Sequence, residues 1–483
     1  MTSTVNEHYY TNLDRFSGTA LISETEQLSY GELEQRVQQS TEKLATVCKA
    51  DNGHVALLAL LFSSTIDAVV MYLAALRCQV PVILVDPELA EPAKLTMYEQ
   101  LSVGFEFSAG SKEQPGELKQ LRTDCHWPAS GAVAVMLSTS GSSGSPKAVM
   151  LSAANLCANT ESITQYLPIA TTDVGITTLP LHYSYGLSVL NTHLAMGAAM
   201  VLTEQPLMSR EFWQLVRNHQ VTSLSGVPFH YQMLQMLRIE RMELPAMRYL
   251  TQAGGKLDPK AVAHFAQLAA DKSWKLFVMY GQTEATARMG YVPAELVYQH
   301  PDVIGQAIPG GRFEIRSLNT GAIIETAGQE GELWYFGDNV MLGYAEQKND
   351  WLQPPSPKRA LATGDLACWV EQGLIKITGR LSRFIKMRGK RIQLDHLEQK
   401  LKEQGLQVYC CGQDELLLFA FVAAQEETKK ENENENAIKQ LASDELNLHP
   451  SLWAVVQIAA VPYLASGKIN YAALLELCLK QQE

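Results

Sequence analysis

Short apolar segments alternate with segments of helical periodicity through the first half of the chain. Residues 55–61 and 80–85 are apolar runs suited to buried parallel strands, and residues 64–77 between them place apolar side chains on one helical face. The same strand–helix–strand alternation recurs between residues 200 and 236. Because parallel strands must be covered on both faces, this pattern predicts an α/β fold with doubly wound, mixed sheets.

From about residue 310 the pattern changes to short strands separated by turns, which indicates a small β subdomain. Residues 379–483 then mix strands with helical segments, as in a small α+β domain. A chain of 483 residues is also too long for one hydrophobic core. We therefore predict a large domain at residues 1–378 and a small, mobile α+β domain at residues 379–483.

Charge and composition exclude several classes of protein. The net charge of −12 argues against nucleic acid as a partner, because a phosphate backbone needs a surplus of Lys and Arg. The most apolar region, residues 54–85, is interrupted by Asp67 and Arg77, so no membrane span is expected. The eight cysteines are scattered and lack metal-binding spacing, which is typical of reduced, mostly buried thiols in a cytoplasmic protein.

Residues 137–152, LSTSGSSGSPKAVMLS, form a segment rich in hydroxyls and glycine between two apolar flanks. Gly141 and Gly144 allow positive φ, so that backbone N–H groups can approach an anion. The spacing differs from the Walker loop, and Pro146 precedes the lysine. A flexible Ser/Gly linker is the alternative, but its flanks would not resemble strands. The segment therefore favours a loop that binds a triphosphate.

This segment resembles the phosphate loop, TSGTTGxPKGV, of the adenylate-forming superfamily, with Ala148 in place of the last glycine. The superfamily comprises acyl- and aryl-CoA ligases, adenylation domains and beetle luciferases, and this chain is most similar to the free-standing acyl-CoA synthetase or acyl-AMP ligase type. The resemblance implies that ATP is bound by the following loop residues: Thr139, Ser140, Gly141, Ser142, Ser143, Gly144 and Lys147.

A second segment, MYGQTEATARM at residues 279–289, follows a strand-like run, and ligands of α/β folds bind at the carboxyl ends of strands. Thr283 and Glu284 by themselves also fit a helix cap. The segment resembles the YGxTE motif of the superfamily. That resemblance implies that Thr283 holds the α-phosphate of ATP and that Glu284 is a ligand of Mg²⁺.

The resemblance also implies an adenine site. Tyr280 is expected to lie against the base, next to Gly281. Gly254 and Gly255, from the segment LTQAGGKL, are expected to offer backbone groups to the base.

Three further segments resemble motifs of the same family. LATGDL resembles the TGD motif, which implies that Asp365 binds the ribose hydroxyls together with Arg380. Ser382 stands at the hinge of the mobile domain, where Asp or Lys is usual. LASGKIN resembles the C-terminal signature, which implies that Lys468 bridges the substrate carboxylate and the α-phosphate. Each segment alone also fits an ordinary turn or surface residue, so the prediction depends on all five motifs occurring in the family's order.

Residues 380–391 contain six basic side chains and no acidic one. This pattern fits a solvated strand face. It also fits a patch for the phosphates of coenzyme A or for an acidic carrier protein.

The acid substrate is expected near LPLHYSYGLSVL at residues 179–190, which is similar to the LPLFHxxGL segment of acyl- and aryl-CoA ligases. It lacks the Asp that binds the α-ammonium group in amino-acid-activating relatives, and it shows no single ionic partner for a charged substrate tail. A neutral acyl, hydroxyacyl or aryl acid therefore fits best. The resemblance implies a pocket lined by the following residues: His182, Tyr183, Tyr185, Gly186, Gly226, Phe229, Gln252 and Met289.

The implied activity is that of an ATP-dependent carboxylic acid–thiol ligase. A carboxylate would attack the α-phosphorus of MgATP, releasing pyrophosphate, and the acyl group of the acyl-AMP would then pass to coenzyme A or to the phosphopantetheine of an acyl or peptidyl carrier protein. The expected catalytic residues are Lys147, Thr283, Glu284 and Lys468. Three alternatives stay open: an amino-acid adenylation enzyme, a catalytically silent homologue that acts as a binding protein, and a luciferase-like oxygenase.

Overall fold

The structure is a computed structural model that describes residues 8–50, 52–110, 116–139, 147–387, 390–422, 438–440, 449–463 and 469–481. Its contacts divide the chain into two compact units. The first consists of Met1–Phe313 and Tyr335–Leu361, and the second of Glu314–Trp334 and Ala362–Glu483. The division into domains at residues 1–378 and 379–483, expected from the sequence, remains a prediction.

The strands and helices follow the order expected from the apolar periodicity. In chain order, the strands are β1 (Thr19–Ile22), β2 (Gln27–Ser29), β3 (Leu58–Leu61), β4 (Val82–Val85), β5 (Phe105–Ser108), β6 (Glu117–Gln120), β7 (Val135–Thr139), β8 (Lys147–Leu151), β9 (Val174–Ile176), β10 (Ala199–Val201), β11 (Ser223–Gly226), β12 (Tyr249–Gln252), β13 (Lys275–Tyr280), β14 (Gly290–Tyr291), β15 (Gln306–Ala307), β16 (Arg312–Arg316), β17 (Gly331–Phe336), β18 (Gly343–Ala345), β19 (Ala360–Trp369), β20 (Ile375–Arg380), β21 (Phe384–Met387), β22 (Lys390–Gln393), β23 (Tyr409–Gln413), β24 (Leu416–Val422) and β25 (Trp453–Ile458). The helices are α1 (Tyr30–Cys48), α2 (Ile66–Arg77), α3 (Glu91–Leu101), α4 (Ala153–Tyr166), α5 (Ser184–Ala195), α6 (Arg210–Asn218), α7 (Pro228–Met236), α8 (Pro259–Asp271), α9 (Lys348–Leu352), α10 (Leu394–Glu403) and α11 (Tyr471–Lys480).

The largest sheet of the first unit has seven strands in the order β18-β8-β7-β4-β3-β5-β6. Its centre is parallel, with β4 between β3 and β7 and with β5 beyond β3. The outer strands β6, β8 and β18 pair antiparallel. All residues of β4 are buried, as its apolar sequence predicts for a strand covered on both faces.

Two smaller sheets complete the first unit, with strand orders β2-β1-β10-β9 and β11-β12-β13-β14-β15. Helix α2 is buried along nearly its whole length, and its side chains share one hydrophobic core with α1 and with strands of both β3–β4 and β1–β10. Helices therefore cover mixed sheets, and the predicted fold class is confirmed.

The five-stranded sheet positions the residues of the predicted site. β11, β12 and β13 are parallel and in register, with Gly226 opposite Gln252 and Gln252 opposite Val278. The carboxyl ends of these strands consequently meet at one edge. Phe229 and Gly254 lie in the segments that follow β11 and β12, and Tyr280 ends β13 directly before Gly281.

The second unit contains the sheet β16-β17-β19-β20, the hairpin β21-β22 and the sheet β23-β24-β25. Helix α10 packs with β21, β23 and β24 in one apolar cluster, and α11 packs with β24 and β25 in another. This is the α+β arrangement expected for the C-terminal part of the chain.

The eight cysteines are all free and buried, which confirms the expectation of unpaired thiols. No helix among the described residues is both long and apolar enough to cross a membrane.

Candidate active site

The predicted phosphate loop joins β7 to β8, which form an antiparallel hairpin with Thr139 opposite Lys147. The hairpin geometry follows from the apolar runs on either side of the glycine-rich segment. Ser140, Gly141, Ser142, Ser143 and Gly144 lie outside the described residues, as does the side chain of Thr139.

Lys147 begins β8, and its ammonium group faces β18, the neighbouring strand. Its Nζ lies 2.8 Å from Oε1 of Glu346 and 5.9 Å from the ring centre of Tyr344. The lysine side chain is 39% exposed and that of Glu346 52% exposed, so both charges lie at the surface of the unit. A predicted phosphate ligand is thus paired with a carboxylate.

Tyr344 connects this lysine with the predicted magnesium ligand. Its hydroxyl donates a hydrogen bond of 2.9 Å to Oε1 of Glu284. The negative charge of Glu284 raises the pKa of the Tyr344 phenol, in addition to the larger effect of its burial. We name Lys147, Glu284, Tyr344 and Glu346 the β18 cluster; the structure brings together two predicted residues and two that sequence analysis missed.

The segment that carries Glu284 is held in place by Asn339. The amide of Asn339 donates to the carbonyl oxygens of Ala285 and Arg288, at 2.8 and 3.0 Å, and its backbone oxygen accepts from Thr286 at 2.7 Å. Tyr335 donates in turn to Oδ1 of Asn339 at 2.8 Å. These buried bonds fix the backbone after Glu284, which orients its carboxylate.

Thr283, the predicted α-phosphate ligand, lies beside the first turn of α5. Its hydroxyl is 3.3 Å from that of Ser184. Gly281 explains how the chain turns here, because a Cβ at this position would lie 1.7 Å from the carbonyl oxygen of Ala287. The chain therefore folds back on itself between Tyr280 and Met289, and a side chain at residue 281 would prevent that turn.

The predicted adenine residues lie at the ends of β12 and β13. Gly254 has φ of +80°, and a Cβ there would lie 2.8 Å from the hydroxyl of Tyr183. Gln252 donates to the carbonyl oxygen of Gly255 at 2.8 Å and so supports this loop. Tyr280 lies with its ring 6.3 Å from that of Phe313. A flat, partly exposed aromatic side chain is thus available beside a glycine loop, as a nucleobase site requires.

The predicted acid-pocket residues differ in exposure. His182 lies 3.7 Å from Asp86, and burial lowers the pKa of its imidazole despite that charge. Gly186 is needed for packing, since a Cβ would lie 2.2 Å from the carbonyl oxygen of Pro180. Tyr185 donates to the carbonyl oxygen of Thr251 at 3.0 Å, and Met289 is fully buried. Phe229 is half-buried, whereas Gly226 is buried within β11.

In the second unit the two predicted ribose ligands form an ion pair. Asp365 and Arg380 lie opposite one another on β19 and β20, with Nε of Arg380 3.0 Å from Oδ1 of Asp365. The Asp365 side chain is 3% exposed and that of Arg380 55% exposed. The hydroxyl of Thr363 accepts from the backbone N–H of Asp365 at 3.1 Å and fixes the turn. Lys468 lies outside the described residues.

The basic segment 380–391 is not a uniform patch of surface charge. Arg383 is largely buried, forms ion pairs with Asp395 and with Glu398, and donates to the carbonyl oxygen of Cys410 at 2.7 Å. Among the basic side chains of this segment that the structure describes, Arg380 pairs with Asp365 and Arg383 with Asp395 and Glu398, all acids contributed by other elements. Sequence analysis missed these pairs because the acidic residues lie outside the segment.

The donor set of the first unit fits a magnesium–phosphate ligand. Mg²⁺ is usually held by one or two carboxylates together with substrate phosphates, and Glu284 supplies one partly exposed carboxylate on the tyrosine that Lys147 also approaches. Lys147 can neutralise phosphate charge once it exchanges Glu346 for a ligand.

Comparisons with known proteins identify the family to which the sequence is similar. Residues 14–345 match the sequence profile of the family described as AMP-binding enzyme. Bacitracin synthase 3 of Bacillus licheniformis is 26% identical to the chain over 503 residues, which cover 98% of this chain and 8% of the synthase. Surfactin synthase subunit 1 of Bacillus subtilis is 25% identical, over 94% of this chain and 13% of that protein. The chain thus spans only a small part of these curated relatives.

Two solved structures have the same fold along almost the whole chain. The o-succinylbenzoate CoA synthetase of Bacillus subtilis, in complex with its acyl-adenylate intermediate, superposes with a TM-score of 0.74 at 21% identity, over 97% of this chain and 98% of the synthetase. ATP-bound MatB of Rhodopseudomonas palustris gives a TM-score of 0.76 at 19% identity, with 97% of both chains covered.

Proposed function

The chain belongs to the family of AMP-binding enzymes, and on this premise we propose that it is an ATP-dependent carboxylic acid–thiol ligase. In the first half-reaction a carboxylate oxygen attacks the α-phosphorus of ATP, the bond to the β-phosphate breaks, and acyl-AMP and pyrophosphate form. In the second, a thiol attacks the acyl carbon, AMP leaves, and the thiol proton passes to solvent. The products are a thioester and AMP.

The β18 cluster is the observation that carries this proposal. It places the ammonium group of Lys147 and the carboxylate of Glu284 on the same tyrosine, at the end of the hairpin that contains the phosphate-loop motif. A triphosphate with its divalent cation requires both a positive side chain for the phosphates and a carboxylate for the metal. An ordinary Ser/Gly linker has no need of such a pair.

The first half-reaction brings an anion to a polyanion, so the residues must cancel charge. Lys147 is proposed to bind the outer phosphates after it leaves Glu346, and Thr283 to donate its hydroxyl to the α-phosphate. Glu284 is proposed to hold Mg²⁺, which when bound withdraws charge from the phosphate oxygens. Lys468 is proposed to bind the substrate carboxylate and the α-phosphate together.

Roles for the second unit rest on its own ion pair and on the motifs. A ribose diol can donate one hydroxyl to Asp365 while Arg380 holds the carboxylate, so this pair suits recognition of AMP. Coenzyme A or a carrier-protein phosphopantetheine is proposed as the thiol. We also propose a cytoplasmic location, in keeping with the free, buried cysteines.

The proposal is tested by trapping the acyl-AMP with hydroxylamine, which removes any need to know the natural thiol. Purified protein, MgATP and a panel of fatty, hydroxy, aryl, dicarboxylic and amino acids should give pyrophosphate and an acyl hydroxamate with one class of acid. Lys468→Ala should lower hydroxamate formation at least a hundredfold. Coenzyme A and a phosphopantetheinylated carrier protein, added separately, then identify the acceptor.

Lys480→Ala is the matched control, since it removes another lysine from the C-terminal region, at the exposed end of α11. Its activity should equal that of the wild type. ATP binding without hydroxamate from any acid would contradict the ligase proposal and favour a silent homologue. Hydroxamate from amino acids alone would favour a carrier-loading adenylation enzyme, the activity suggested by the peptide synthetases among its relatives.

A further inference from the structure

Arg288 carries a buried positive charge for which the proposed mechanism has no use. It lies four residues beyond Glu284, is 1% exposed, and is among the largest fully buried side chains of the described chain. Its Nε and Nη1 atoms have no hydrogen-bond partner among the described residues. Buried guanidinium groups are normally paired with acids or saturated with carbonyl acceptors, so this arginine is exceptional.

The groups around Arg288 are aromatic and uncharged. Its guanidinium lies 4.9 Å from the ring centre of Tyr185 and forms a hydrogen bond with the hydroxyl of Tyr166, and its charge also acts on His193 and Tyr249. Burial raises the pKa of Tyr166 to about 12, and it raises the pKa values of Tyr185 and Tyr249 as well. Burial lowers the pKa of His193, so that its imidazole is neutral. None of these four side chains neutralises the arginine.

The buried acid of this region is already occupied. Asp173, whose charge acts on both His193 and Tyr249, forms an ion pair with Arg248 and accepts from the backbone N–H of Ala170 at 2.9 Å. Asp173 therefore has one arginine as its partner, and no acidic side chain in the described part of the chain pairs with Arg288.

A buried charge without an acid destabilises the folded state, and contact with one aromatic ring offsets only part of this cost. An apolar side chain of similar volume would fold more readily at the same position. The unsatisfied donors therefore indicate a ligand that supplies the missing negative charge.

The location of Arg288 indicates which ligand this is. Thr283, the proposed α-phosphate ligand, contacts Ser184, and the next residue of α5 is Tyr185, whose ring faces Arg288. The chain thus runs from the proposed reaction centre, along the start of α5, to the unpaired guanidinium. An acid whose reacting carboxylate is activated near Thr283 extends its other end toward Arg288.

We propose that the acid substrate is a dicarboxylic acid, whose second carboxylate pairs with Arg288. This inference rests on the proposed ligase function and makes its substrate class specific. It differs from the expectation of a neutral acid drawn from the sequence. Because the guanidinium is inaccessible to water in this structure, entry of the ligand requires that one of the surrounding tyrosines turns aside.

The test compares acids that differ only in the charge of the distant group. Succinate, glutarate, adipate and terephthalate are paired with their monoamides, which keep the shape and lose the charge. In at least one pair the wild-type enzyme should form hydroxamate from the diacid with a kcat/KM at least tenfold above that of the monoamide. Arg288→Met should lower this ratio to about one.

Arg248→Met is the matched control, since it removes the arginine that already has an acid. It should lower stability by leaving Asp173 unpaired and should keep the preference for the diacid. Arg288→Met should have a melting temperature equal to or above that of the wild type without ligand, because a buried, unpaired charge is lost.

The outcomes separate this inference from the proposed function. Hydroxamate from neutral acids without preference for any diacid, or a diacid preference that survives in Arg288→Met, would overturn the inference and leave the ligase proposal intact. If no acid reacts, a binding measurement tests the inference instead. In the presence of the nonhydrolysable analogue AMPCPP, a diacid should raise the melting temperature of the wild type by more than its monoamide does. The absence of that difference, or its persistence in Arg288→Met, overturns the inference as well.

Discussion

Single side chains in β18 and directly after it determine how the proposed phosphate ligands are oriented. Tyr344 forms a hydrogen bond with one oxygen of Glu284, while Glu346 forms an ion pair with the ammonium group of Lys147. The two contacts have opposite consequences for ATP. The first orients a group that the ligand needs, and the second must be broken before the ligand binds.

Tyr344→Phe should weaken the use of Mg²⁺, because it removes the hydroxyl that orients Glu284. A hydrogen bond of this kind contributes about 1 kcal/mol, so the Mg²⁺ concentration at half-maximal activity should rise about fivefold. Titration of hydroxamate formation with MgCl₂ at saturating acid measures the change. Glu346→Gln is the companion variant and should instead lower the KM for ATP. An unchanged Mg²⁺ requirement in Tyr344→Phe would show that the contact has no functional role.

His230 gives the fold a measurable dependence on pH. Its Nδ1 accepts from the backbone N–H of Val227 at 3.3 Å, and burial lowers its pKa from 6.5 to about 4. The folded state therefore favours the neutral imidazole. This contribution to stability is fully present above pH 6.5 and is lost as the pH falls toward 4.

Between pH 7 and pH 5 the loss attributable to His230 should be about 2 kcal/mol in the free energy of unfolding. His230→Gln keeps an acceptor for Val227 but does not titrate, so its stability should fall less over this interval. Urea denaturation of both proteins at the two pH values measures the difference. Parallel losses in the two proteins would assign the pH dependence to other groups.

At the scale of elements, the start of α4 connects the phosphate hairpin to the segment beneath the site. Ser152 follows β8 directly and forms a capping box with Asn155, whose backbone N–H donates to Oγ of Ser152 at 3.0 Å. The amide of Asn155 also donates to the carbonyl oxygens of Asp338 and Val340, at 2.6 and 2.9 Å. One helix end thus anchors both β8 and the turn that holds Asn339.

Ser152→Ala should lower the free energy of unfolding by about 1 kcal/mol, since it leaves the N–H of Asn155 without its acceptor. Ser152→Gly should cost only a few tenths of a kcal/mol, because glycine adopts cap conformations readily. Urea denaturation followed by tryptophan fluorescence distinguishes the two variants. Equal losses would mean that the hydroxyl does not act as a cap.

At the scale of the whole molecule, the two half-reactions are proposed to need different arrangements of the C-terminal domain. β20 ends at Arg380 and β21 begins at Phe384, and Ser382 is the middle residue of this three-residue connection. A hinge needs only backbone angles that change at low cost, which serine permits.

Ser382→Pro should separate the two half-reactions, because proline fixes φ and restricts the residue before it. Hydroxamate formation should stay within threefold of the wild type, while transfer to the natural thiol should fall at least tenfold. Ser382→Ala removes the hydroxyl without restricting the backbone and should transfer normally. Equal loss of both half-reactions in Ser382→Pro would contradict the assignment of the hinge to this residue.

The sequence by itself determined the features that depend on neighbouring residues. Apolar periodicity predicted the alternation of strands and helices. The segments with glycines and hydroxyls predicted a loop between two strand-like flanks at residues 137–152 and side chains at the carboxyl end of the strand that precedes Gly281. Strand β3 begins at Leu58 rather than at residue 55, because Val55 pairs with Trp127 outside the sheet. Such differences arise where a local pattern competes with a distant partner.

Tertiary structure alone decided which side chains meet. Tyr344 and Glu346 carry no motif, and they reach Lys147 only because β18 pairs with β8 in a particular register. The sequence does not indicate that Arg288 is buried. The turn at Gly281 and the hydrogen bonds from Asn339 place it among aromatic rings in the interior. Local patterns specify elements because backbone geometry repeats over a few residues, whereas contacts across the fold depend on register and packing that no short segment encodes.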